Sequence, residues 1–156
     1  MQQGIANSTD AELILKLYEL RTESVMREAR AWVNGQFWPM RADEFFAVAD
    51  DVSSQKSAWL RQVVSYWEMA VSLVLHGALS ADLFIDCNAE PFFLLAKLEP
   101  ILPDIHAKSP TYFHKTLQLI ENSPAAAARY EAVKKHVESV RQARNAEWLR
   151  QPASAH

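Results

Sequence analysis

Apolar residues recur along this chain at the three- and four-residue spacing of amphipathic helices, not in the strict alternation of half-buried strands. The widest apolar arc lies in residues 57–76 and predicts the central helix of a bundle. Residues 10–34 carry a narrower stripe, which predicts one long amphipathic helix, and residues 124–150 carry a stripe that suits docking by a single face. The pattern as a whole predicts an all-α, single-domain bundle of about five to seven helices.

Local capping signals predict where several helices begin and end. Thr9 is followed three residues later by Glu12, which is the spacing of a capping box, so the first helix is expected to begin there. Gly35 and Gly77 are each expected to adopt the left-handed backbone conformation that ends the preceding helix.

Two Ser-Pro pairs, at 109–110 and 123–124, are expected to open the last two helices, because a hydroxyl can cap the helix and proline suits its first turn. No segment is rich enough in Gly, Ser or Pro to divide the chain. We therefore expect a disordered or frayed N-terminus over 1–8, one helical domain over 9–150 and a frayed C-terminus over 151–156.

The amino-acid composition supports a folded, helical protein. Of the 156 residues, 49% are hydrophobic and 22% are charged, and only 3 are glycine, which is too few for the turns of a β-sandwich. The single Cys87 excludes an internal disulfide framework and fits a reducing compartment. The first residues lack the pattern of a secretory signal, and no apolar run approaches the roughly 20 residues of a membrane span. We therefore predict a cytoplasmic protein that does not associate with a membrane.

The charge of the chain is unevenly distributed. The net charge is -3, but residues 124–156 carry 6 Lys and Arg against 3 Asp and Glu. Lys134, Lys135, Arg141 and Arg144 are therefore candidates for binding a partner. Glutamates interleave with these residues and no basic recognition helix is evident, so binding of nucleic acid is disfavoured.

Glu68 stands at the edge of the apolar helix, where a carboxylate needs a partner. We expect it to pair with Arg41 or Arg61, and the alternative is a ligand-binding or acid–base role. His76 follows two turns later, so Glu68, His76 and a residue from another helix could together bind a small molecule or a metal. The chain has no Glu-x-x-His or His-Glu-x-x-His motif, so no metal site and no cofactor are predicted.

Most of the aromatic side chains are expected in the core. Trp38, Tyr112 and Trp148 could instead line a pocket or a self-association surface. A homodimer formed through an aromatic helix face is accordingly one hypothesis for the partner.

Three short segments resemble a bacterial family of helical domains of unknown function. In that family an aromatic-aromatic-Glu helix precedes a Gly-x-Leu/Ile-x-x-Asp turn and a Ser-Pro-x-Tyr/Phe segment. The matching segments here are Tyr66-Trp67-Glu68, Gly77-Ala78-Leu79-Ser80-Ala81-Asp82-Leu83 and Ser109-Pro110-Thr111-Tyr112-Phe113. The resemblance covers about residues 57–121 and implies a small helical domain, with no activity attached. It also singles out Glu68, Gly77 and Asp82, of which Gly77 is explained by backbone conformation alone.

Taken together, Glu68, His76 and Asp82 are candidate ligand-binding residues, and no motif identifies catalytic residues. The leading hypothesis is a non-enzymatic cytoplasmic interaction or scaffold domain. The alternatives are a small-molecule or metal-binding bundle built on Glu68 and His76, and binding of nucleic acid or an acidic partner by the basic C-terminal helix.

Overall fold

The computed structural model describes residues 5–150, which form nine α-helices and one short 3-10 helix. The α-helices are α1 (Ser8–Thr22), α2 (Ser24–Gly35), α3 (Ala42–Ala49), α4 (Gln55–Leu75), α5 (Ala81–Cys87), α6 (Glu90–Leu98), α7 (Leu102–Lys108), α8 (His114–Asn122) and α9 (Pro124–Arg150), with the 3-10 helix (Glu99–Ile101) between α6 and α7. No strand occurs in the described residues, so the all-α prediction is confirmed, but the helix count exceeds the expected five to seven. Of the predicted disordered or frayed ends, residues 1–4 and 151–156 lie outside the described residues, and α1 already begins at Ser8. Within that range, no helix is long and apolar enough to cross a membrane.

The segment 10–34 forms two helices, and the prediction of one was wrong. Glu23 separates α1 from α2 with an extended backbone, at φ -53° and ψ 148°. No glycine or proline marks this break in the sequence. Arg30 bridges it, because its guanidinium donates to the Arg21 carbonyl at 3.2 Å, close to the end of α1.

The N-terminus of α1 is capped by Asn7, not by the predicted pair Thr9 and Glu12. The Asn7 side chain accepts the amides of Thr9 and Asp10 at 2.8 and 3.1 Å, and Asp10 accepts the Asn7 amide at 2.8 Å. Asn is as effective as Ser at this position. Asp10 also accepts the Ser80 amide at 2.7 Å and so joins the start of α1 to the start of α5.

The central helix is α4, as the 57–76 pattern predicts. It packs against α2, α3, α5, α6 and α8. Trp67, Ala70 and Val71 on this helix are completely buried. Because one apolar helix contacts five others, its burial supplies hydrophobic stabilisation to most of the bundle, at about 25 cal/mol per Å² of apolar surface.

Two further helices complete the core. α6 lies between α4 and α9 and buries Phe92 completely. The last helix begins as predicted, since the Ser123 hydroxyl accepts the Ala126 amide at 3.2 Å. Ala126 and Val137 of α9 are buried, whereas Trp148 near its C-terminal end is 74% exposed.

The other Ser-Pro pair, at 109–110, does not open a helix. It starts a turn, and α8 begins only at His114. Phe113, immediately before α8, is buried with a left-handed backbone at φ 57°, a conformation that costs energy for a bulky residue. A hydrogen bond of 2.8 Å between the His106 ring and the Tyr112 carbonyl supports the turn.

The two glycines behave differently at their helix ends. Gly77 has φ +72°, and the Ala78 amide donates back to the Leu73 carbonyl at 2.8 Å, as the left-handed helix stop requires. Gly35 does not have a positive φ and remains within α2, so its predicted left-handed conformation was wrong.

We expect Gly77→Ala to lower the free energy of unfolding by about 1–2 kcal/mol, because a side chain is strained at positive φ. Gly35→Ala should raise it by up to about 1 kcal/mol, since alanine favours the helix. Apart from the adjoining backbone, no heavy atom lies within 4 Å of the added Cβ at either position, so steric clashes do not affect the comparison. Urea unfolding of both variants measures the difference, and two changes of the same sign would contradict this account.

Candidate functional site

The C-terminus of α2 is held by side chains from three other parts of the chain. The Trp38 indole donates to the Asn34 carbonyl at 3.1 Å, and Lys97 Nζ and an Arg144 guanidinium nitrogen donate to the Val33 and Gly35 carbonyls. The last carbonyls of a helix have no intrahelical partners, and cations are stabilised at that negative end. These three donors therefore fix the 36–41 segment, α6 and α9 around the end of α2.

Lys97, on α6, is only 2% exposed, which is unusual for a lysine. Its ammonium is surrounded by Trp38, Phe93 and Phe37, at 5.4, 5.6 and 5.9 Å from the ring centroids. Burial, and then the nearby charge of Arg144, lower the pKa of Lys97 to about 7. Sequence reasoning missed this residue, because a lysine between apolar positions is usually on the solvent side of a helix. Its only local signal was its place within the apolar run of α6.

Trp38 and Arg144 also line a surface groove between the 36–44 segment and the C-terminal half of α9. We call it the α9 groove; it has a volume of about 750 Å³. Its exposed apolar side chains are Met40 at 45%, Trp148 at 74% and Leu149 at 76%. Trp38 and Trp148 therefore line a pocket, which was one of the two positions considered for them.

Arginines give the α9 groove its charge. Arg41, Arg141 and Arg144 line it together with one acidic residue, Glu44. Arg144 lies over the Trp38 ring, 4.9 Å from its centroid. Arg141 donates to the Lys97 carbonyl at 3.0 Å, near the end of α6. Two of these arginines also pair with carboxylates outside the groove lining, Arg41 with Asp43 and Arg141 with Glu138 at 2.7 Å. Arg144 donates to the Gly35 carbonyl, and a carbonyl partner does not neutralise its positive charge.

The four predicted partner-binding residues lie along one stretch of α9. Arg141 lines the α9 groove and also a neighbouring hollow that contains Lys134 and Lys135. Lys134 is already paired with Glu99, at 2.9 Å, whereas Lys135 is exposed. The hollow of Lys134 and Lys135 is also lined by Glu99, Glu131 and Glu138, so the excess of basic over acidic side chains lies in the α9 groove.

Glu68 does not pair with an arginine, and that expectation was wrong. Its carboxylate accepts the amides of Lys115 and Thr116 at 3.0 and 3.1 Å and the Thr116 hydroxyl at 2.6 Å. It therefore caps the N-terminus of α8 from the neighbouring α4. Arg41 binds Asp43 instead, and Arg61 binds Ser57.

The other predicted ligand-binding residues lie away from this cap. His76 is exposed at the end of α4, eight residues or about 12 Å further along the helix axis than Glu68. Asp82 is exposed in the first turn of α5. Among the described residues, no group of three or more His, Cys, Asp or Glu could hold a metal ion.

A half-buried ion pair joins α2 to the start of α6. Glu90 accepts two hydrogen bonds from Arg30 Nε, at 3.0 and 2.9 Å, and one from the Trp67 indole at 3.0 Å. Burial opposes the ionisation of Glu90, but the hydrogen bonds from Arg30 and Trp67 prevail and hold the pKa of this carboxyl below its usual range. Sequence analysis missed the pair, because its members are 60 residues apart.

The buried Lys97 predicts a specific dependence of stability on pH. Between a folded pKa of about 7 and the ordinary value of 10.5, the unfolded chain holds a proton that the native chain has released. The free energy of unfolding should therefore rise with pH in this range, by at most about 1.4 kcal/mol per pH unit. Urea unfolding at pH 7, 8 and 9 should show this rise in the native chain and a flatter profile in Lys97→Met. Parallel profiles would exclude a titrating Lys97.

The cap on α8 predicts a loss of stability when Glu68 is shortened. Glu68→Ala should lower the free energy of unfolding by about 1–2 kcal/mol, because two backbone amides and one hydroxyl lose their acceptor. Glu121→Ala, on the exposed side of α8, is the matched control and should change it by less than about 0.5 kcal/mol. Equal effects of the two substitutions in thermal unfolding would count against the cap.

Comparison with known proteins identifies a family for most of this fold. Residues 6–123, more than half of the chain, match the family described as Domain of unknown function (DUF4760). No curated protein and no solved structure matches the chain. The match runs from the start of α1 to the N-cap of α9, and it confirms the resemblance to a family of helical domains of unknown function. The chain belongs to the DUF4760 family.

Proposed function

We propose that this protein is a non-enzymatic interaction domain, and that its α9 groove binds an acidic, amphipathic segment of a partner protein. The observation that carries the proposal is the exposure of Met40, Trp148 and Leu149 beside three arginines in one groove. A contiguous apolar surface with a polar rim is typical of an interaction site.

The side chains of the groove suit binding better than proton transfer. Guanidinium groups do not deprotonate in proteins, and an indole is only a hydrogen-bond donor. Tryptophan and arginine are enriched among the residues that dominate binding energy at protein interfaces. Trp38 and Trp148 would thus provide apolar contact on opposite walls.

The charge of the groove favours an acidic partner. Three arginines and one glutamate line it. Arg41 and Arg141 also pair with Asp43 and Glu138, whereas the bond of Arg144 to the Gly35 carbonyl holds a charged guanidinium group before any partner arrives. Side chains that are already ordered lose less conformational entropy on binding. Carboxylates of the partner could then accept the N–H groups that remain.

The exposed, free thiol of Cys87 supports the cytoplasm as the location of this interaction. Disulfides form and persist in oxidising compartments, whereas a single exposed thiol suits a reducing one.

A labelled synthetic peptide tests this proposal. The probe is a helical peptide with Leu and Phe on one face and Glu on the other, and its matched control carries Lys in place of each Glu. Fluorescence polarisation should show binding of the acidic peptide that weakens as NaCl is raised, because salt screens charge pairs. Trp148→Ala should weaken it at least about tenfold.

Leu15→Ala is the control variant, because Leu15 is 68% exposed on α1 and lies outside the groove. It should leave binding unchanged. Equal binding of the acidic and basic peptides, or no effect of Trp148→Ala, would overturn the proposal. A dimer in analytical ultracentrifugation that Trp148→Ala dissociates would assign the groove to a second copy of the chain and would also overturn it.

A further inference from the structure

A separate cleft lies between α3, α4 and the 109–113 turn. We call it the α3–α4 cleft; it has a volume of about 540 Å³, within the usual range for small-molecule sites. Its apolar walls are Phe45, Phe46, Leu60, Val64 and Tyr112. None of the predicted ligand-binding residues lines this cleft, and the cleft shares no lining residue with the α9 groove.

The aromatic walls of the cleft are ordered without a ligand. The Phe45 ring contacts Phe46 and Tyr112 edge to face, with centroids 5.3 and 5.5 Å apart and interplanar angles of 83° and 84°. The His106 ring holds the Tyr112 carbonyl at 2.8 Å. A ligand would thus meet a preformed apolar surface, which reduces the entropy lost on binding.

A fixed guanidinium group provides the polar end of the cleft. One guanidinium N–H group of Arg61 donates a hydrogen bond to the Ser57 hydroxyl oxygen at 2.8 Å. Ser57 is completely buried, and its hydroxyl donates to the Ala49 carbonyl at 3.3 Å. Only one of the three guanidinium nitrogens makes this bond. The bond orients the planar guanidinium group of Arg61, and its other N–H groups can still donate to a ligand.

The charges around the cleft leave Arg61 uncompensated. Of the described residues that line it, Arg61 is the one cation and Asp50 the one anion. Asp50 is bound by Lys108 at 3.0 Å, and the Lys108 ammonium lies 3.9 Å from the centroid of the Phe46 ring. With that pair neutral, the cleft carries one positive charge beside an apolar wall.

We propose that the α3–α4 cleft binds a small monocarboxylate with an apolar tail. The carboxylate accepts hydrogen bonds from Arg61, and the tail lies against Phe45, Phe46 and Tyr112. Charge-assisted bonds from arginine to a carboxylate are among the stronger polar contacts in proteins. The proposal is independent of the α9 groove and stands on a different set of side chains.

Isothermal titration calorimetry with decanoate, below its micelle concentration, tests the proposal. Decanoate should bind the full chain with a stoichiometry of one, and decan-1-ol at least about tenfold more weakly, because it lacks the carboxylate. Arg61→Gln should weaken decanoate binding by a similar factor and leave decan-1-ol binding unchanged. The variant should fold, since Arg61 is exposed.

Two further variants locate the bound molecule. Arg27→Gln removes an exposed arginine of α2 outside the cleft and should leave decanoate binding unchanged. Trp148→Ala should do the same, and a loss of binding in that variant would place decanoate in the α9 groove and overturn the proposal. No binding of decanoate, or equal binding by the native chain and Arg61→Gln, would also overturn it.

Discussion

The end of α2 leaves three carbonyl groups without intrahelical partners, and the arrangement of the C-terminal half depends on supplying those partners. The Trp38 indole, the Lys97 ammonium and the Arg144 guanidinium do so, from a loop, from α6 and from α9. A buried carbonyl that loses its partner costs about 1–3 kcal/mol, which applies to the buried Val33 and in part to the half-buried Asn34. Gly35 is exposed, so Arg144 adds a weaker, solvent-accessible bond between α9 and the end of α2. The Trp38 wall of the α9 groove follows from the same contacts, because the indole is held by Asn34 on one side and stacked under Arg144 on the other.

The same physical rule accounts for other charged groups of the bundle. Carboxylates lie at helix starts, with Asp10 at α5 and Glu68 at α8, and Arg141 binds carbonyls at the end of α6. Each charge therefore meets the helix end of opposite sign. Glu68 was a candidate ligand-binding residue in the sequence because it stands at the edge of an apolar helix. Its hydrogen bonds to the start of α8 explain that position without a ligand.

The two proposed binding surfaces differ in their relation to the family. The α3–α4 cleft is formed entirely by residues between 45 and 112, inside the segment that matches DUF4760. One wall of the α9 groove is built by α9, which lies outside that segment. The proposed carboxylate site thus lies within the matched segment, whereas the proposed recognition in the groove also needs α9. The two proposals can therefore succeed or fail separately.

Local sequence was sufficient for the features that depend on neighbouring residues. The apolar arc of α4, the cap at Ser123 and the left-handed Gly77 act within one or two helical turns, and each is present in the structure. The break at Glu23, the left-handed Phe113 and the burial of Lys97 carry no comparable local signal. The hydrogen-bond partners of Glu68, Lys97 and Arg144 lie between 47 and 109 positions away. Only the tertiary structure could decide them, because the free energy of an unsatisfied helix end depends on which distant donor or acceptor the packing brings to it.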